Sequence, residues 1–134
     1  MSAPVRLVLL SHSATVAAGV AELAGEVAGA PGRVVGVGGT DDGRLGTSID
    51  LLEAAVREAL DTGADVAVVP DLGSSVLTAK AFLADLDDDE AARVVLVDAP
   101  FLEGAVGAAV TLSTGAGLDD VRHQAEAARG LKKL

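Results

Sequence analysis

Short, almost wholly apolar runs alternate along this chain with longer stretches in which apolar residues return every three or four positions. The runs are Val5–Leu10, Val34–Val37, Val66–Val69 and Val94–Val97, all rich in valine. Because they are not polar at every second residue, they read as strands covered on both faces, the condition of a parallel sheet. The helical pattern covers Ala14–Ala28, Ser48–Leu60 and Ser74–Leu86, then Phe101–Val110 and Leu118–Ala128. Within Ser48–Leu60, Ile49, Leu52, Ala55, Val56 and Leu60 share one face while Glu53, Arg57 and Glu58 occupy the other. Thr47, three residues ahead of Asp50, is the expected cap of that helix. The acidic run Asp85–Glu90 falls where a helix gives way to a strand and reads as a solvated loop. No linker or repeat interrupts the pattern, so residues 1–134 are expected to form one domain. Crossovers between parallel strands are right-handed, and this βαβαβα order therefore predicts an α/β fold. Its form is an open, doubly wound, four-stranded parallel sheet in the order 2-1-3-4 with helices on both faces.

In such a sheet ligands bind beyond the carboxyl ends of the strands where the winding reverses, here between the first and third. The chain leaves those strands as Ser11-His12-Ser13 and Pro70-Asp71-Leu72-Gly73-Ser74-Ser75, which brings His12 and Asp71 to one crevice. A neutral imidazole can serve as nucleophile, base or phosphoryl acceptor. A carboxylate on Nδ1–H would fix its tautomer, aim the Nε2 lone pair outward and stabilise positive charge on the ring. Ser13, Gly73, Ser74 and Ser75 open the following helices, where free backbone N–H groups can face an anion. The same two residues also fit a loop histidine beside a helix-capping aspartate, and the pattern alone leaves both readings open. The glycine-rich stretch Gly36–Thr47 has neither the lysine of a P-loop nor the dinucleotide spacing. It is expected to be a mobile loop over the site that brings Gly46, Thr47 and Ser48 towards the crevice. Ser11 and Ser13 adjoin His12 in sequence, a poor geometry for a nucleophile and its base, and no nucleophile elbow is present. His123, flanked at helical spacing by Asp119, Asp120 and Glu126, belongs to a solvated face.

Composition narrows the function classes. Half of the 134 residues are hydrophobic and 22% charged, which excludes disorder and allows a real core. No unbroken apolar stretch approaches the ~18 residues of a membrane span. Cysteine is absent, and with it disulfides, thiolate metal ligands and cysteine nucleophiles. Ten Lys+Arg against twenty Asp+Glu give a net charge of −10, which argues against nucleic acid or an anionic membrane as partner. Two Phe and no Trp or Tyr leave almost nothing to stack on a base or flavin. No cofactor and no metal are expected. The first apolar run is too short for a signal peptide, so the expected location is the cytoplasm. Surplus apolar surface in so short a chain predicts a homodimer, with Leu102, Val106 and Val110 on one helix and Leu118 and Val121 on the next as contributors.

Four segments then fall into one picture: Ser11-His12-Ser13, Leu45-Gly46-Thr47-Ser48, Asp71-Leu72-Gly73-Ser74-Ser75, and Ala99-Pro100-Phe101-Leu102-Glu103-Gly104. In this order the chain resembles the mannose-type EIIA domains of the bacterial phosphotransferase system. Within that superfamily it is similar to the DhaM branch, the phosphoryl-donor subunits of phosphotransferase-dependent dihydroxyacetone kinase. The Gly-Thr-Ser and Leu-Glu-Gly segments favour this branch over the sugar-transport members. The resemblance implies a phosphohistidine at His12 oriented by Asp71, a homodimer, and a relay role. HPr would donate the phosphoryl group, ADP held in DhaL would accept it, and DhaL with DhaK would make dihydroxyacetone phosphate. Having no fused HPr-like or enzyme-I-like domain, the chain is expected to depend on separate carriers. Two other readings compete: an EIIA that passes phosphate to the EIIB domain of a sugar permease, and a non-enzymatic regulatory domain that binds through its acidic surface.

Overall fold

The computed structural model describes residues 3–134. Its sheet has four parallel strands in the order β2-β1-β3-β4: β1 (Val5–Ser11), β2 (Val34–Gly38), β3 (Asp65–Pro70) and β4 (Val94–Leu96). This is the topology the hydrophobic pattern predicts, with strand ends differing by one residue or so. Side chains of β1 alternate between two cores, which is why the run shows no polar alternation. Val5, Leu7 and Leu9 pack under α1 (Ala14–Ala28), α5 (Phe101–Ser113) and α6 (Leu118–Ala127). Val8 and Leu10 face α2 (Ile49–Asp61) and α3 (Gly73–Leu83). These five residues are fully buried, each contributing roughly 1.5–3 kcal/mol through removal from water.

Helix α1 crosses β2 at a separation that only glycine permits. A Cβ on Gly36 would stand 2.4 Å from the Ala17 carbonyl oxygen, and one on Gly38 would stand 2.4 Å from that of Ser13. Both glycines therefore belong to the strand, and the loop expected from Gly36 onward starts only after Gly38. Their close approach seats the first turn of α1, and with it His12, against the end of β2.

Several boundaries correct the expectations. Ser48, not Thr47, caps α2, its side chain accepting from Leu51 N–H at 3.1 Å. Helix α3 ends at Leu83 rather than Leu86, because the chain turns at Ala84 to reach β4. The acidic run is not simply a solvated loop: Asp87 and Glu90 form a capping box around the short helix α4 (Asp88–Ala91). Its acids suit the positive end of that helix, and Glu90 also takes an ion pair from Arg57 at 2.7 Å. Helix α5 runs on to Ser113, its polar end held by the Thr111 and Ser113 hydroxyls bonding back to Gly107 and Val110 carbonyls at 2.8 and 2.7 Å. Val121 is fully buried against the sheet, which removes it from the residues expected to meet a second copy. Among the described residues no helix is long and apolar enough to cross a membrane.

Candidate active site

Both β1 and β3 end at the crevice where the winding reverses, and Asp71 is fixed there by its backbone N–H bonding to the Leu10 carbonyl at 3.0 Å. Its carboxylate then gathers four donors. Oδ1 accepts from the Leu72 N–H at 2.7 Å and lies 2.9 Å from His12 Nδ1. Oδ2 accepts from the Ser11 hydroxyl at 2.9 Å and from the His12 N–H at 3.0 Å. Burial pushes the Asp71 carboxyl up, but the N–H groups of His12 and Leu72, the Ser11 hydroxyl and the His12 ring together outweigh it and hold the carboxyl down at about 2. An ionised carboxylate can only accept, so the proton between Asp71 and the ring sits on Nδ1. With its proton on Nδ1 the ring presents Nε2 outward, where it lies 2.5 Å from the Ser74 hydroxyl.

Helix α3 meets this nitrogen with an end that, like those of α5 and α6, has no side-chain cap. Ser13 caps α1 and Ser48 caps α2, each through its side-chain oxygen. Leu72 stands at the corresponding position of α3 and supplies no side-chain cap, although its backbone is in the extended conformation that capping requires. The Ser75 N–H bonds to the Leu72 carbonyl at 3.0 Å, and the N–H groups of Gly73 and Ser74 are left for another acceptor, next to His12 Nε2.

The other residues expected at the site divide clearly. Gly46 latches the glycine-rich loop onto the histidine, its N–H bonding to the His12 carbonyl at 2.9 Å. That loop is braced within itself by Thr40 and Arg44 at 2.8 Å and by an Arg44–Asp42 ion pair at 2.9 Å. Thr47 turns away to Thr78 on α3 at 2.7 Å, and the Ser48 hydroxyl donates to Asp41. Ser13 serves α1 by accepting from Val16 N–H at 3.2 Å. Ser75 is fully buried, and its hydroxyl returns to the Leu72 carbonyl at 2.7 Å. Of the expected hydroxyls, Ser74 alone touches the ring. The residue missed is Ser11, which bridges Asp71 and the Ser13 N–H, the latter at 3.1 Å. The sequence shows only a hydroxyl ending an apolar strand; the structure buries it to 1% exposure, where it must have a partner. His123 is exposed on α6, far along the chain from this network. Among the described residues no group of acids and histidines could hold a metal ion.

Residues 6–122 match the family described as PTS system fructose IIA component, EIIA-man. The chain belongs to the mannose-type EIIA family. The curated relatives that it matches include phosphoryl donor subunits named DhaM. One, from Listeria innocua serovar 6a, belongs to PEP-dependent dihydroxyacetone kinase 2; it is 33% identical over 106 residues, which cover 79% of this chain and 84% of the relative. The subunit of Escherichia coli K12 is 35% identical over 133 residues, 93% of this chain. There the chain spans only 28% of the relative's length, as it also does with the Klebsiella michiganensis subunit. The crystal structure of EF1359, a protein of unknown function, superposes with a TM-score of 0.84 at 29% identity, covering 100% of this chain and 99% of that one. In this EIIA domain of the DhaM-like kind, Gly46 and Asp71 bond to His12 at one crevice, whereas Leu102 and Glu103 line a separate groove with Leu23 and Val106. Ala99, which opens the Ala-Pro-Phe-Leu-Glu-Gly segment, lines the same cleft as Asp71, Leu72 and Gly73.

Proposed function

We propose that residues 1–134 act as one phosphohistidine-carrier domain, the phosphoryl-donor component of a dihydroxyacetone kinase. The observation that carries this reading is the single orientation of His12: Nδ1–H on an ionised Asp71, Nε2 outward beside the uncapped end of α3. The Nε2 lone pair attacks the phosphorus of phospho-HPr, the new P–N bond forms, and the donor's bond to phosphorus breaks with its electron pair leaving on the donor. No proton need move at His12, since Nδ1 keeps its own, and the positive character the ring gains is balanced by Asp71. The Ser74 hydroxyl, released from Nε2, turns to donate to a phosphoryl oxygen, and the free N–H groups of α3 face the same anion. In the second half the terminal oxygen of ADP held in DhaL attacks phosphorus, and His12 leaves with the electron pair as the neutral ring. DhaL with DhaK then phosphorylates dihydroxyacetone.

Serving two partners in turn requires an open docking surface. Leu45, Leu72 and Leu77 are 80%, 63% and 69% exposed on the loop and helix that flank His12, an apolar collar suited to transient association. The reading has the domain working in the cytoplasm as a homodimer, supplied by a diffusible carrier and using no cofactor of its own. It is tested by incubating the chain with phosphoenolpyruvate, enzyme I and HPr, measuring intact mass, then adding DhaL–ADP. One phosphoryl group per chain, lost to DhaL–ADP, is expected. Phosphorylation followed by transfer only to an EIIB domain would make it a sugar-permease component, and no phosphorylation at all would leave the regulatory reading.

A further inference from the structure

At the end of the sheet remote from His12, the starts of β1 and β2 meet the turn Pro31–Arg33 and the second half of α2 around a pocket of about 270 Å³. Arg6 and Arg33 both line it. The other five arginines, Arg44, Arg57, Arg93, Arg122 and Arg129, each lie within ion-pair distance of a carboxylate. Among the described residues Arg6 and Arg33 form no ion pair. In a chain with twenty acids and ten bases, pairing is the easy outcome, so two unpaired guanidinium groups sharing one pocket call for an explanation.

Their settings differ in a useful way. Arg33 donates from Nε and Nη2 to the Val5 carbonyl at 3.3 and 3.0 Å, which orients its plane and leaves Nη1 without a protein acceptor among the described residues. The Arg6 side chain makes no hydrogen bond among those residues. A guanidinium fork matches the oxygens of a phosphate, and two forks offer more donors than one carboxylate can accept. Val35, Ala55 and Ala59 form apolar walls that would strengthen such contacts by excluding water. The volume lies at the small end of ligand sites, enough for a phosphate on a short carbon body. We propose that this pocket is a second, non-catalytic site for a small phosphomonoester, held between Arg6 and Arg33. Glu58, on the same lining but in no ion pair with either arginine, opposes the anion and sets its affinity.

The test is a titration of the full chain with glycerol phosphate, with inorganic phosphate alongside, followed by amide chemical shifts. Saturable shifts of residues 33–35 and 55–59 are expected, distinct from those at residues 12–13 and 73–75, where phosphate would meet the histidine site. Arg6→Ala, which removes no hydrogen bond or ion pair among the described residues, should weaken binding at the pocket at least roughly tenfold, since bonds to charged groups are lost. Glu58→Gln should tighten it. Shifts confined to the histidine site, or an Arg6→Ala variant that titrates like the parent, would overturn the proposal.

Discussion

Asp71→Asn preserves the shape of the side chain and removes half of what it does. All four groups around the carboxylate are donors: His12 Nδ1 and Leu72 N–H on Oδ1, Ser11 hydroxyl and His12 N–H on Oδ2. An amide must turn its NH2 towards one of those pairs. Turned to the second pair, it can be met by a rotated Ser11 hydroxyl, but the His12 N–H is left facing another donor. Turned to the first pair, it strands the Leu72 N–H and drives the ring to accept at Nδ1, so the proton moves to Nε2 and the nucleophilic lone pair is lost. Either way one backbone donor is unpaired, at about 1–3 kcal/mol. The depression of the Asp71 carboxyl from 3.8 to about 2, which the same donors cause, corresponds to a similar size at roughly 1.4 kcal/mol for each tenfold change. Both figures describe the same hydrogen bonds and do not add, so a loss of about 2 kcal/mol is expected at pH 7.

The pH dependence separates this from a simple packing defect. A carboxyl depressed in the folded state stabilises the fold fully above its unfolded value of 3.8, and that stabilisation fades as pH falls towards about 2. Urea titrations should therefore show the gap between parent and variant shrink by about half between pH 7 and pH 3. Phosphoryl transfer from phospho-HPr, followed by rapid quench, should slow by about 10²-fold if the amide keeps Nδ1–H, and by nearer 10⁴-fold if it flips the tautomer. Ring nitrogen chemical shifts tell which has occurred. An unchanged transfer rate, or a stability gap of equal size at both pH values, would refute the role given to Asp71.

Four further outcomes are expected. His12→Ala should abolish labelling and leave the urea midpoint almost unmoved, while His123→Ala labels normally; the adduct should be acid-labile and alkali-stable, and an acid-stable one would point to Ser or Thr. Gly38→Ala should destabilise by at least 1–3 kcal/mol in urea, since its Cβ meets the Ser13 carbonyl at 2.4 Å and backbone cannot step aside cheaply. Leu72→Ser should raise stability by about 1 kcal/mol by capping α3, yet slow phosphorylation, because the same N–H groups can no longer face the phosphoryl group; faster labelling would contradict that assignment. Light scattering at micromolar concentration should give twice the monomer mass. The apolar groove between α1, α5 and α6, lined by Leu23, Leu102, Val106 and Leu131, is the surface expected to pair, and a charge introduced there by Leu102→Glu should dissociate the dimer.

The fold was legible because β1 and β3 are buried on both faces, and that condition writes itself into the sequence as almost wholly apolar runs without polar alternation. The pairing of His12 with Asp71 followed from strand order, which handedness restricts to few choices. What remained hidden was the assignment of small polar residues. Ser11, Ser13, Ser74 and Ser75 are the same residue type in the same two loops, yet one bridges, one caps, one touches the ring and one is buried. Those roles depend on rotamer and on fractions of a helical turn, which composition and spacing do not encode. The cap of α2 was misread by one residue for the same reason, since Thr47 and Ser48 have equal capping chemistry and only the backbone selects between them.

A carrier must hold its histidine firmly and the phosphoryl group loosely, and the site divides these tasks between two sides of one ring. Asp71 is 14% exposed and fully occupied by four donors, so the charge that steadies the ring is built in before any partner arrives. Nε2 looks the other way on a side chain 24% exposed, towards one serine hydroxyl that a single bond rotation can redirect. A helix end contributes only about 0.3–1 kcal/mol to an adjacent anion at an exposed position. That modest amount is an advantage in the proposed relay. Each 1.4 kcal/mol of extra grip on the phosphorylated state, absent from the transition state, would slow departure to the second partner about tenfold. Among the described residues no arginine or lysine bonds the ring, and Lys80 reaches only the cleft that Asp71, Leu72 and Gly73 also line; a cation brought to the start of α3, for example by Leu72→Lys, should prolong the life of the phosphohistidine and stall its transfer.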